Sequence, residues 1–265
     1  MKSIRLIHNL PRSGGTIISK CLAAQKDVIL LSEIHPEGVA MRKKMGGDAT
    51  FFDPINQCQK WNNLFGDNEY KKICNSSYNF EEKIDLIYKK TEVANKKLII
   101  RDWAFLDFFG KPFIEPSYKN SLAEAFNKKF EILNLYIIRH PLELFISCYK
   151  TLDFFKYYDL SFFFNGYRNY FLNASKNNIF TYENFLLEPE KNLKNMCNIL
   201  KVDYEDNYLS RLKDINLTGD PTAKNSLKIQ NKDNIAEKLF KKDDLDKIKK
   251  SSEFINLMQD LKDYY

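Results

Sequence analysis

The chain has 265 residues, 44% of them hydrophobic and 14% aromatic, which supplies enough apolar side chain for a large core and excludes a mainly disordered protein. The formal charge of +6, from 41 Lys and Arg against 35 Asp and Glu, is mild and lacks the concentrated basic stripe of a nucleic-acid-binding protein. No stretch approaches the roughly 20 apolar residues that span a bilayer, and the N-terminus is too poor in apolar residues for a signal peptide. We therefore expect a cytoplasmic protein with no membrane or nucleic-acid partner.

Alternating strand and helix patterns run along most of the chain. Segments rich in aliphatic or β-branched residues predict strands at residues 4–8, 28–32, 97–101, 133–138 and 178–181. Helical patterns occupy residues 16–24, 80–95, 121–129, 141–151 and 189–200. The strand runs are mostly unbroken, as in strands that are covered on both faces. The pattern predicts an α/β fold, with a central parallel sheet of about five strands flanked by helices, in a single domain over residues 1–265.

Two segments depart from this alternation. Residues 45–78 are polar and aromatic, and residues 152–171 contain ten aromatic side chains. Such aromatic density is typical of a helix that packs into the core, but the position of both segments also allows insertions that line an acceptor pocket. The tail from Asp233 has a helical period and carries no recognisable chemistry.

The first predicted strand leads into the loop Pro11–Thr16, which reads Pro-Arg-Ser-Gly-Gly-Thr, and then into a helix. A strand, a glycine turn and a helix start together direct backbone N–H groups and the helix dipole at an anion. Gly14 and Gly15 permit close approach of a ligand, Ser13 and Thr16 offer hydroxyls, and Arg12 adds a positive charge. An ordinary strand-to-helix turn with a Ser or Thr cap is the alternative. The loop is not a Walker A motif, because no Lys precedes Thr16, and this disfavours Mg-ATP as the ligand.

A second candidate anion site lies at Arg139 and Ser147. Arg139 ends a predicted strand, Pro141 opens a helix, and Ser147 lies about two turns into that helix. Side chains placed in this way can converge on one tetrahedral anion. A salt-bridge arginine and an incidental helix serine are the alternative, and His140 is interpreted as a neighbour of the helix cap.

No metal site is expected. The five cysteines are odd in number and form no CxxC pair, and none of the three histidines has ligand spacing to a cysteine. We interpret the cysteines as reduced, mostly buried thiols.

These motifs together resemble the sulfotransferases, the enzymes that use 3′-phosphoadenosine 5′-phosphosulfate (PAPS) as sulfuryl donor and release PAP. The resemblance extends in patches from Ile4 to Lys228 and implies the sulfotransferase variant of the P-loop NTPase-like fold. It implies that the loop Pro11–Thr16 holds the 5′-phosphosulfate and that Arg12 stabilises charge on the bridging oxygen. Arg139 and Ser147, eight positions apart, match the pair that grips the 3′-phosphate of the donor. Gly15 departs from the family, which usually has a hydroxyl residue there.

Two further matches are weaker. Tyr182, which follows the last predicted strand, matches a residue that contacts the adenine, although a core tyrosine is an alternative. Lys224 lies in a segment that resembles the late loop closing over the 3′-phosphate.

Three residues at the carboxyl ends of strands, where ligands of open α/β sheets bind, are candidates for the general base. Glu33 is the first candidate, Asp102 the second and His35 the third, and each has a purely structural alternative. Arg101 is expected to pair with one of the two carboxylates. The resemblance implies a sulfotransferase that acts without a metal on a hydroxyl or amine of a small molecule or carbohydrate. A P-loop kinase and a non-catalytic nucleotide-phosphate-binding protein are the alternatives.

Overall fold

A five-stranded, all-parallel sheet forms the centre of the molecule, in a computed structural model that describes residues 2–219 and 240–265. The strand order is β2-β3-β1-β4-β5. The strands are β1 (Ser3–Asn9), β2 (Val28–Ile34), β3 (Lys97–Asp102), β4 (Glu131–Ile138) and β5 (Ile179–Thr181). The predicted sheet is thereby confirmed, and each predicted strand lies within two residues of the observed bounds.

Helices connect the strands and cover both faces of the sheet. In the first half of the chain they are α1 (Gly15–Ala23), α2 (Gly38–Lys44), α3 (Pro54–Asn62), α4 (Asp67–Cys74), α5 (Phe80–Val93), α6 (Phe105–Phe108) and α7 (Ser121–Phe126). After β4 they are α8 (Pro141–Thr151), α9 (Leu160–Leu172), α10 (Tyr182–Leu187), α11 (Pro189–Leu200), α12 (Tyr208–Arg211), α13 (Lys242–Lys250) and α14 (Ser252–Asp260). Helices α8 and α11 each begin at a proline, which needs no N–H partner in the first turn.

Alternate residues of each strand enter two different cores. Ile4 and Leu6 of β1 pack with α3, α5 and α7 on one face, whereas Ile7 packs with α1 and α11 on the other. Both faces are therefore apolar, which explains why the strands read as unbroken hydrophobic runs rather than as alternating ones.

The aromatic segment 152–171 is largely core. It folds into a 3₁₀ turn, Asp153–Tyr157, and helix α9, whose inner face buries Phe163, Phe164, Tyr167, Tyr170 and Phe171. These rings pack with α6, α8 and the C-terminal helices in a third cluster. Residues 45–78 contain a 3₁₀ turn, Thr50–Phe52, followed by α3 and α4, and lie beside β2.

The strand order places β1 between β3 and β4. After β1 the chain forms β2 and β3 on one side of that strand, and then β4 and β5 on its other side. In open parallel sheets, ligands bind at the carboxyl ends of the strands where this reversal occurs. The loop after β1 and the ends of β2, β3 and β4 all lie at that edge. None of the described helices is long and apolar enough to cross a membrane.

Candidate active site

The loop that follows β1 turns sharply before α1. Two of its residues have left-handed backbone conformations, Arg12 with φ 65° and Gly14 with φ 89°. Gly14 is the N-cap of α1, and no side chain caps the helix. Because the first N–H groups of an α-helix have no acceptor within the helix, this end presents hydrogen-bond donors and the positive end of the dipole at the carboxyl-end edge of the sheet.

Ser13 shapes this turn from inside. It is buried, and its hydroxyl donates to the carbonyl oxygen of Leu10 at 2.7 Å. The thiol of Cys148 on α8 contacts the Pro11 carbonyl oxygen at 3.5 Å. The sequence suggested that Ser13 offers its hydroxyl to a ligand, whereas in the structure that hydrogen is used within the loop.

Thr16 joins the start of α1 to the neighbouring strand ends through Arg101. Arg101 Nη1 donates to Thr16 Oγ1 at 3.0 Å, and Nη2 donates to Ser32 Oγ at 2.8 Å and to the Thr218 carbonyl oxygen at 2.7 Å. Arg101 is only 2% exposed, and burial lowers the pKa of its guanidinium, an effect opposed by the charge of Glu33. Since Thr16 Oγ1 accepts from Arg101, its own hydroxyl hydrogen is directed elsewhere.

Glu33 projects from a bulge near the end of β2. Its φ is 56°, and the pairing of β2 with β3 shifts register between Leu31 and Ile34. Bulges of this kind re-aim one side chain at a strand end. The Glu33 carboxylate lies 3.8 Å from Arg101 Nη2, and its side chain is 24% exposed.

Arg139 and Ser147 meet at Arg12. Arg139 Nη1 donates to the Arg12 carbonyl oxygen at 3.0 Å, and Arg12 Nε lies 3.4 Å from Ser147 Oγ. The backbone of Arg139 is fixed by the Tyr167 hydroxyl, and its Nη2 lies 3.3 Å from Glu143. The structure therefore brings the two predicted anion sites together at one residue of the loop.

Tyr182 packs directly on the loop. A Cβ atom added to Gly14 would lie 2.0 Å from Tyr182 Cδ2, so only glycine allows this approach. The guanidinium of Arg139 lies 5.3 Å from the centre of the Tyr182 ring. His140, interpreted from the sequence as a neighbour of the helix cap, is itself the N-cap of α8, and its backbone N–H donates to Glu183.

Asp102 is enclosed beneath the strand ends. Its side chain is 0% exposed and pairs with His8 Nδ1 at 2.9 Å. Burial raises the pKa of the Asp102 carboxyl, against the lowering effect of His8. His8 also contacts Asn120 and Asn134 and stacks on Tyr136. Arg101 therefore pairs with Glu33, and Asp102 has a separate buried partner.

His35 is held in the same way. Its Nδ1 accepts the backbone N–H of Glu37 at 3.0 Å, and its Nε2 lies 3.4 Å from Asp107 Oδ1. Burial raises the pKa of Asp107, but the adjacent His35 ring and the hydrogen bonds from Ser121 outweigh it and hold that pKa below its ordinary value. Both ring nitrogens of His35 thus face protein groups, and its side chain is 4% exposed.

Lys224 lies outside the described residues. Within residues 2–219 and 240–265, no group of three or more His, Cys, Asp or Glu side chains is arranged to hold a metal ion.

The hydrogen bonds from Arg101 to Thr16, Ser32 and Thr218 were not predicted from the sequence. The one available signal was a charged residue at the end of an otherwise apolar strand.

Comparisons with solved structures identify this architecture. The chain is similar to the sulfotransferase domain from the curacin biosynthetic pathway, with a TM-score of 0.64 and 14% identity over 99% of this chain and 98% of that one. It is also similar to the sulfotransferase domain of the Synechococcus PCC 7002 olefin synthase, with a TM-score of 0.58 and 18% identity over 98% and 95% of the two chains. No family model and no curated protein matches the sequence. The common architecture over nearly the whole length shows that the chain has the fold of the sulfotransferase superfamily.

Proposed function

We propose that this protein is a sulfotransferase that moves the sulfuryl group of PAPS to a hydroxyl or amine of a small-molecule or glycan acceptor. The observation that carries the proposal is the meeting of Arg139 and Ser147 at Arg12, directly before the uncapped start of α1. Two adjoining anion-binding elements suit a nucleotide that has phosphate groups at both its 5′ and 3′ positions.

The residues present fit a sulfuryl donor with phosphate groups at both positions. The first N–H groups of α1 have no side-chain cap, and Arg139 Nε is buried with no hydrogen-bond partner among the described residues. A buried donor without an acceptor costs about 1–3 kcal/mol, so oxygens supplied by a ligand would relieve a real penalty. The absence of a Lys before Thr16 favours PAPS over Mg-ATP.

Bound PAPS would supply a sulfuryl group already activated by its linkage to the 5′-phosphate. In our proposal the N–H groups at the start of α1 hold the 5′ end, and Arg12 stabilises the charge that develops on the leaving oxygen. Arg139 and Ser147 hold the 3′-phosphate, and Tyr182 contacts the adenine. Positioning and charge stabilisation of this kind are the main requirements of an in-line transfer.

Glu33 is the proposed general base. Of the three candidates it has the most exposed side chain, at 24% against 0% for Asp102 and 4% for His35. Its position at the end of β2 places a carboxylate at the ligand-binding edge, where it can accept the proton of an acceptor hydroxyl.

The acceptor side is proposed to involve segments 45–78 and 152–171. Phe52 of the first segment packs on Trp103 with ring centres 4.6 Å apart, and Phe154 of the second packs on Phe105 at 5.3 Å. Trp103 and Phe105 immediately follow β3, so both segments adjoin the end of the strand next to Glu33. Of these rings Trp103 and Phe154 are only partly buried, and such rings suit an apolar or sugar acceptor.

Calorimetric titration with PAP and with Mg-ATP tests the nucleotide specificity. We expect PAP to bind more tightly, and tighter binding of Mg-ATP would favour a P-loop kinase instead. Transfer of labelled sulfate from PAPS to a panel of phenols, alcohols, amines and glycans then tests catalysis. Binding of PAP without transfer to any member of the panel, and without hydrolysis of PAPS, would favour a non-catalytic nucleotide-binding protein.

A further inference from the structure

Asn9, the last residue of β1, lies against Gly15 in the loop Pro11–Thr16. A Cβ atom built on Gly15 would be 2.2 Å from Asn9 Cγ, 2.3 Å from Oδ1 and 2.4 Å from Nδ2. The three nearly equal distances mean that the amide lies face-on over Gly15. The space of a residue-15 side chain is therefore occupied by the side chain of Asn9.

The hydrogen bonds of Asn9 leave part of its amide unused. Its Nδ2 donates one hydrogen to the Leu10 carbonyl oxygen at 3.0 Å, and its Oδ1 is buried with no partner among the described residues. The amide also does not cap α1, which it adjoins. An Asn amide has two donor hydrogens, so at least one remains for another acceptor.

The Leu10 carbonyl oxygen receives competing donors. Besides Asn9, it accepts the hydroxyl of Ser13 at 2.7 Å and the backbone N–H of Ser13 at 3.3 Å. A carbonyl oxygen has two lone pairs, so three donors compete for them. The Asn9 amide can consequently turn towards a stronger acceptor without leaving the Leu10 carbonyl unpaired.

We propose that Asn9 is a donor-binding residue whose amide N–H contacts an oxygen at the 5′ end of PAPS, and that Gly15 is required to make room for it. The inference rests on the proposed function and extends it by one binding residue and its matched glycine. Side chains at positions 9 and 15 compete for one volume beside the α1 N-terminus, so a larger residue 15 and Asn9 exclude each other.

The test compares two nucleotides. PAP carries the 5′-phosphate, whereas adenosine 3′-monophosphate lacks it. We expect Asn9→Ala to weaken PAP binding about tenfold or more, as for a lost charge-assisted hydrogen bond, and to leave binding of adenosine 3′-monophosphate unchanged. Asn9→Asp keeps the shape of the side chain but adds a negative charge, so it should weaken PAP binding further.

A double-mutant cycle tests the coupling to Gly15. Gly15→Ser alone should weaken PAP binding and lower the unfolding temperature, because the new Cβ meets Asn9. In Asn9→Ala/Gly15→Ser the serine has room and supplies a hydroxyl, so PAP should bind more tightly than to either single variant. Unfolding temperatures of all variants show whether each is folded.

The outcomes separate this inference from the proposed function. Wild-type affinity for PAP in both Asn9 variants overturns the inference alone. So does an equal loss for both nucleotides, which indicates a purely structural role. Additive losses in the double variant also overturn it, since they indicate that the two side chains do not compete for one volume. Failure of the wild-type protein to bind PAP overturns the proposed function, and the inference with it.

Discussion

Arg101 Nη1 donates a hydrogen bond to Thr16 Oγ1 at 3.0 Å, which couples the end of β3 to the first turn of α1. The same guanidinium holds Ser32 Oγ and the carbonyl oxygen of Thr218. One buried side chain thus fixes the relative positions of the start of α1, the β2 end that carries Glu33 and the backbone at Thr218.

Arg101→Lys tests this coupling. Lysine keeps the charge but cannot reproduce the planar fork that reaches these acceptors. We expect a decrease of about 1–3 kcal/mol in the free energy of unfolding, the cost of buried acceptors left unpaired, and weaker PAP binding. Denaturant unfolding and calorimetry measure the two effects. Arg168→Lys is the control, because Arg168 forms a more exposed pair with Asp260 and should change stability by less than about 1 kcal/mol.

Gly14→Ala should disturb the loop in two ways. Its φ of 89° is unfavourable for alanine by about 1–2 kcal/mol, and the new Cβ would lie 2.0 Å from Tyr182. Gly46→Ala is a matched control, since Gly46 has a φ of 73° and no atom within 4 Å of the added Cβ. We expect Gly14→Ala to lower the free energy of unfolding by more than Gly46→Ala does, and equal losses would show that the Tyr182 contact is unimportant.

Glu33→Gln tests the proposed base. General base catalysis contributes about 10²–10⁴-fold, so kcat for sulfate transfer should fall by at least the lower factor. Binding of PAP should not weaken, because the substitution removes a negative charge beside the proposed anion site. Glu37→Gln is the control on the same part of the chain, where the side chain is exposed. If Glu33→Gln keeps full activity, Glu33 is not the base.

Ser147→Ala should affect only nucleotides that carry a 3′-phosphate. We expect PAP to bind about tenfold more weakly, as for one hydrogen bond to a charged group, and binding of adenosine 5′-monophosphate to stay the same. Thr151→Ala, one turn further along α8 at an exposed position, is the control. An equal loss for both nucleotides would place Ser147 at the 5′ end instead.

Asp107→Asn should reveal a pH-dependent contribution to stability. The pKa of Asp107 in the folded protein is below its ordinary value of 3.8, since the adjacent His35 ring and the hydrogen bonds from Ser121 outweigh burial. As pH falls below the ordinary value the unfolded state binds the proton first, so the stabilisation present at neutral pH is lost through the folded pKa.

The difference in unfolding free energy between wild type and Asp107→Asn is therefore expected to be largest near pH 7, at about 1–3 kcal/mol, and to shrink below pH 4. Asp206→Asn, at an exposed carboxylate, should leave the free energy of unfolding unchanged. A difference that is constant with pH would mean that the ionisation of Asp107 does not contribute.

The sequence alone determined the features that depend on local order. Unbroken aliphatic runs predicted all five strands, and prolines at the first helical position predicted the starts of α8 and α11. The sequence also predicted candidate anion-binding groups in the loop Pro11–Thr16 and at Arg139 and Ser147, because a strand, a turn and a helix place neighbouring residues in a fixed geometry.

Only the tertiary structure decided how the site is held together. The partners of Arg101 are 85, 69 and 117 residues away along the chain, and His8 and Asp102 are 94 residues apart. Strand order brings these residues to one edge, and burial then requires every charge there to find a partner. In the sequence, Asp102, His35 and Glu33 are all polar residues near strand ends. In the structure Asp102 and His35 are buried, each beside a partner of its own, whereas Glu33 has the most exposed side chain of the three.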